Sequence, residues 1–162
     1  MRIRQSAYFG IFSVTLTAAD ITGRLGVEPD VIAVLGSRDP QRSIPRHHSW
    51  RVTSEQPGLT VADHLDIVVG KLEACAGAIG GVVEEIVSAS SGALGVGAVL
   101  QVVRHFDDEE GEDEEISVLE QPGGGQLERL PGQHQLLGWR LSPGVIEFLG
   151  LTHAALDVDE YG

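Results

Sequence analysis

The stretch Ala7-Tyr8-Phe9-Gly10-Ile11-Phe12-Ser13-Val14-Thr15-Leu16-Thr17-Ala18-Ala19-Asp20 decides the reading of the fold. From Ala7 to Leu16 the side chains alternate. Tyr8, Gly10, Phe12, Val14 and Leu16 fall on one side, and Ala7, Phe9, Ile11, Ser13 and Thr15 on the other. A period of two with aromatic and β-branched residues predicts a strand. Thr17 can then cap a helix, and Asp20 places negative charge in its first turn, where the helix dipole favours it. Ile21 and Leu25 lie four apart, and Gly26 supplies a left-handed stop. The segment Arg2 to Asp20 also imitates an export signal, with Arg2 and Arg4 before an apolar stretch and Thr17-Ala18-Ala19 as a small-residue site. The alternation, with Ser13 and Thr15 inside it, favours the strand.

Working outward, Val31 to Leu35 reads as a short strand. Ser37 to Arg46 reads as an exposed loop with two prolines and three arginines, and His48 to Thr53 as a third strand. Thr60 opens a second helix with Asp63 three residues on. Val61, Leu65, Val68, Val69 and Leu72 form a stripe at helical spacing. Ile79, Val82, Val83 and Ile86 extend the helical pattern across Gly80-Gly81. Ala93 to Phe106 reads as a long strand, with short strands expected at Ile116 to Leu119 and Leu137 to Leu141. Ser142-Pro143 starts a last helix, with Ile146 and Leu149 inward and Gly150 ending it. His153 to Val158 is the last strand. Two strand–cap–helix–glycine units thus flank a central helix. They predict an α+β fold, ferredoxin-like or split βαβ, with helices on one face of a mainly antiparallel sheet. Residues 1–162 read as one domain with a flexible acidic, glycine-rich insertion at 107–135.

Composition narrows function mostly by exclusion. The 162 residues carry 24 acidic and 11 basic side chains, a net charge of −13. Such a balance argues against a nucleic-acid backbone as partner, which needs clustered cations. No apolar run approaches the ~18 residues of a membrane span. The single cysteine, Cys75, excludes an intrachain disulfide and a Cys-cluster metal site; it reads as a buried thiol, and a cytoplasmic location is the default. Eight acids crowd the nine positions from Asp107 to Glu115. They fit no EF-hand spacing and read as a solvated loop.

The motif order carries a resemblance. The opening strand, Leu25-Gly26-Val27-Glu28-Pro29, Ser49-Trp50-Arg51-Val52, the helix through His64-Leu65, Leu141-Ser142-Pro143 and Ala155-Leu156-Asp157-Val158-Asp159-Glu160-Tyr161 together resemble the bacterial domain-of-unknown-function family DUF4279. The similarity covers most of the chain and is weakest between Asp107 and Leu136. It implies a small α+β domain and carries over no catalytic residue.

Site candidates come from the residues alone. Arg38, Arg42 and Arg46 cluster cations on one loop, and guanidinium binds carboxylate or phosphate in bidentate fashion. His47 and His48 are adjacent on a strand and point to opposite faces, so they do not readily share one metal; His48 shares a face with Trp50. Asp157 and Asp159 share a face of the last strand, close enough to chelate a cation or perturb one another. No nucleophile, base and orienter assemble, and no cofactor or metal motif appears. The expectation is a non-enzymatic interaction module, of the inhibitor or immunity type, for a basic protein partner, with no nucleic acid, no membrane, and a monomeric or dimeric state. The alternative is a small-ligand binder or enzyme using the Arg38–Arg46 loop, His48, Trp50 and the carboxylates Asp157 and Asp159.

Overall fold

The computed structural model describes residues 2–38, 44–90, 95–107, 118–120, 123–124, 126–128 and 138–162. Strand β1 (Arg2–Ser13) leads into helix α1 (Ala18–Leu25), then β2 (Val31–Ala33) and β3 (His48–Ser54). Helix α2 (Val61–Leu72) passes through a 3-10 turn at Glu73–Cys75 into α3 (Ala76–Ala89). After them come β4 (Gly97–Asp107), β5 (Val118–Glu120), β6 (Gln126–Glu128), α4 (Pro143–Thr152) and β7 (Ala155–Tyr161).

Five strands form one sheet in the order β2-β3-β1-β4-β7, and β5 pairs with β6 separately. β1 is antiparallel to β3 and β4, and β3 is antiparallel to β2. β2 therefore runs parallel to β1 with β3 between them, the split βαβ connection. β7 alone pairs in parallel, alongside β4. The fold is thus α+β with a mostly antiparallel mixed sheet.

The helices start where the sequence supplies caps. Thr17 with Asp20, and Thr60 with Asp63, each form a reciprocal capping box, and Ser142 caps α4 ahead of Pro143. Gly26 ends α1 at φ 68°, donating its N–H to the Thr22 carbonyl at 2.8 Å. One sheet face, bearing Phe9, Ile11, Trp50, Val52, Leu100 and Val102, meets Ile21, Leu65, Val68, Leu72, Ile79, Ile86 and Phe148 in one core. Phe9 and Phe148 touch edge to face, with centroids 5.2 Å apart. The whole predicted stripe of α2 is buried, as are Ile79, Val82, Val83 and Ile86 of α3.

Several details differ from the sequence reading; β2 stops at Ala33, and the last strand runs from Ala155 to Tyr161. β1 starts earlier, at Arg2, and ends at Ser13, whose Oγ accepts the Thr15 and Leu16 N–H groups and bends the chain. Residues 138–142 form no strand. Helix α4 runs through Gly150 to Thr152, and His153 ends it in the left-handed region at φ 53°. Its buried residues are Val145, Phe148 and Thr152; Leu149 packs partly buried against the core as expected, while Ile146 is 57% exposed. Packing of Phe148 on Phe9 sets the helix phase and turns Val145 rather than Ile146 to the core. Of the acidic, glycine-rich insertion, positions 108–117, 121–122, 125 and 129–135 lie outside the described residues. Among the described residues, no helix is long and apolar enough to cross a membrane.

Candidate functional site on the open sheet face

The helices pack on one side of the sheet, and the other side carries the chemistry. Strand register sets Thr53, Tyr8, Gln101 and Asp157 in a row across β3, β1, β4 and β7. In the next row Gly10 faces Arg51 on one side and Val99 on the other. Gly10 is required there by close approach. A Cβ would stand 2.8 Å from Phe12 Cε2 and 3.2 Å from Arg51 Cγ. The bare backbone lets the Phe12 ring and the Arg51 stem lie over it. The Arg51 guanidinium then sits 5.4 Å from the Tyr8 ring centroid, a cation–π contact.

A polar chain continues across the same face. Tyr8 OH donates to Gln101 Oε1 at 3.4 Å, and Gln101 Nε2 donates to Asp159 Oδ2 at 3.0 Å. Tyr161 OH donates to the same carboxylate oxygen at 3.2 Å, and its ring stacks on His105 at 4.9 Å. Gln101 is only 5% exposed, so both its contacts are held in a partly dry setting. Burial raises the Tyr8 phenol above its usual range; Arg51 pulls the other way, and Asp157 and Asp159 add to the rise. The Asp159 charge raises Tyr161 likewise. Both phenols remain neutral donors at physiological pH.

Beside this chain lies a cavity of about 400 Å³. Tyr8, Phe12 and His47 give it aromatic walls, Val99 an apolar floor, and Asp157 a carboxylate. Gly95, at φ +76°, lets the His47 ring approach to 3.2 Å from where a Cβ would be. The size falls within the range of ligand pockets. Aromatic rings with one carboxylate suit an organic cation, by cation–π attraction and charge pairing. A second concavity, of about 370 Å³ along α2 and α4, has Glu73 and Glu147 as its only polar side chains and no converging network. Among the described residues, no group of three or more His, Cys, Asp and Glu side chains is placed to hold a metal ion.

The residues singled out from sequence do not meet in one place. Trp50 lies in the core, its indole N–H bonded to Thr22 Oγ1 at 3.0 Å. His48 lies on that same helix-covered side, its Nδ1 accepting the Leu35 N–H at 3.2 Å. Asp157 and Asp159 are on the opposite face of β7, three strand steps away, or roughly 14 Å at the usual spacing. Arg38 and Arg46 are exposed on the loop, and Arg42 lies outside the described residues. The assembly of arginine loop, His48, Trp50 and terminal carboxylates into one site is therefore not formed among the described residues. The histidine that does reach the same cavity as Asp157 is His47. Sequence reasoning passed over Tyr8, Arg51, Phe12 and Gln101. Their signal was present in part: the side of β1 turned away from the helices carries Tyr8 and Phe12 around Gly10, and Gln101 interrupts an apolar strand. Cys75 is partly buried, bonded to the Leu72 carbonyl at 3.2 Å, and burial raises its thiol pKa.

The chain matches the family model of a domain of unknown function, DUF4279, over residues 2–120. That span holds β1 to β5. The closing helix and β7, which entered the motif resemblance, fall beyond it. No curated protein and no solved structure matches.

Proposed function

The chain belongs to the DUF4279 family, and from that premise we propose that it is a non-enzymatic recognition module for a basic protein partner. The open sheet face is its binding surface. The supporting observation is the cavity where Tyr8, Phe12 and His47 adjoin the Asp157 carboxylate, beside the Tyr8–Gln101–Asp159–Tyr161 chain. A lysine or arginine side chain of the partner enters between the rings and ends at Asp157. The net charge of −13 favours encounter with such a partner and speeds it at low salt. On this face Tyr8, Gln101, Asp159 and Tyr161 are already paired with one another and preset for binding; among the described residues, none of them is arranged as a nucleophile beside a base. A cytoplasmic location suits the one thiol.

The test is a shift-mapping titration of the isotope-labelled full chain with hexalysine. The expected result is movement of the Tyr8, Phe12, Gln101 and Asp157 signals, with the α1 to α4 signals static. Movement confined to positions 108–115 would overturn the reading, because the acidic run alone would then hold the cation. The small-ligand alternative is favoured by the cavity's size. It gains if a free organic amine shifts the same signals as strongly as the peptide does.

A further inference from the structure

We infer that the free edge of β7 accepts an extended segment of the partner as an added strand, and that this segment alternates apolar and basic residues. The inference rests on the reading that the partner is basic, and it specifies how that partner is held.

β7 ends the sheet, with β4 its hydrogen-bonded neighbour among the described residues. The Val158 N–H donates to its neighbour's side chain, Asp157 Oδ1, at 3.0 Å, which marks it as facing the free edge. In a parallel ladder the outward groups alternate, so Leu156 and Glu160 face that edge too. A row of outward backbone groups is the template for strand addition.

Burial shows what an added strand would cover. Leu156 and Val158 stand in register with Leu100 and Val102. Leu100 and Val102 are 0% exposed, while Leu156 is 37% and Val158 38% exposed. Among the described residues, the apolar layer thus continues onto β7 with less cover. On the opposite face, Asp157 and Asp159 carry negative charge. A strand laid on this edge would set every second residue beside Leu156 and Val158, and the others beside the two carboxylates. Period two therefore demands apolar residues on one side and Lys or Arg on the other. A second copy of β7 would set Asp157 and Asp159 against the same two carboxylates, and like charges across strands repel. The chain's own run at 107–115 has the same sign. A basic segment of another protein is the occupant that fits both faces.

The experiment uses the full chain and two acetylated, amidated heptapeptides of equal composition. One alternates lysine and valine from a terminal lysine; the other groups its three valines between lysine pairs. Binding is measured by calorimetry at low salt and located by NMR. The expected result is at least about tenfold tighter binding of the alternating peptide, the scale of a few backbone hydrogen bonds. Its contacts should protect the Leu156, Val158 and Glu160 amides from exchange. The Val158→Pro variant, which removes an outward N–H, should lose that preference. Methylating alternate backbone nitrogens of the peptide should abolish it in one set of positions and not in the other, a result independent of how the variant folds. Equal binding of both peptides on the open face overturns the strand-addition inference and leaves the recognition surface standing. Binding of neither overturns both. Pairing of two copies through β7 overturns the inference as well.

Discussion

The carbonyl oxygen of Leu151 lies 2.3 Å from the point where a Cβ on Gly80 would stand. Helices α3 and α4 therefore meet through bare backbone at this position. Next to it, Gly81 has nothing within 4 Å of the same point. The two glycines, adjacent in sequence and identical in composition, have opposite expectations.

Gly80→Ala should destabilise the fold by about 1–3 kcal/mol, since a backbone carbonyl cannot swing aside as a side chain can. Gly81→Ala should stabilise it by about 0.5–1 kcal/mol through helix propensity and a less free unfolded chain. Urea unfolding of both variants checks the pair. Equal effects would contradict the α3–α4 contact.

Leu65 is buried in the α2 stripe at 1% exposure. Leu65→Ala should cost roughly 2–5 kcal/mol, as core truncations do. A loss under about 0.5 kcal/mol, typical of surface sites, would remove α2 from the sheet.

His64 gives the fold a pH dependence. It is fully buried, with Nδ1 2.8 Å from Ser54 Oγ, and burial lowers its pKa below 6.5; Asp63 opposes this more weakly. The folded state thus binds the proton less readily than the unfolded state. Stability from this group is complete above about pH 6.5, the unfolded value, and is lost as pH falls below it toward the lowered folded value. The thermal midpoint should fall across that window, and His64→Gln should flatten that slope. An unchanged slope in the variant would remove His64 as its source.

Replacing positions 108–115 with a Gly/Ser linker of equal length should leave the thermal midpoint nearly unchanged in a calcium-free buffer, because crowded like charges repel and gain nothing from burial. A large drop, or a sharp rise of the native protein's midpoint with calcium, would make the run a structural element.

Much of the frame was legible because local chemistry and global fold agree. Thr17 with Asp20, Thr60 with Asp63 and Ser142-Pro143 name the starts of α1, α2 and α4, and the Leu65–Leu72 stripe names the buried side of α2. The phase of α4 was not legible, because Val145, Ile146, Phe148 and Leu149 are all apolar and only packing on Phe9 selects among them. The site was less legible still. Tyr8, Gln101 and Asp157 are far apart in the chain and meet only through the registers of β1, β4 and β7. His48 and Trp50 read as site residues because of their types, yet their parity on β3 turns both to the helices.

We propose that the open face, and not the acidic run, holds a basic partner. This is tested most directly by hexalysine affinity in a chain whose acids at 108–115 are replaced by Ser and Gln. Binding should survive this replacement with weaker salt dependence, the long-range attraction being screened over about 8–10 Å, and adding Asp157→Asn and Tyr8→Ala should abolish it. Loss of binding on neutralising 108–115, with no effect of Asp157→Asn and Tyr8→Ala in the native chain, would contradict it.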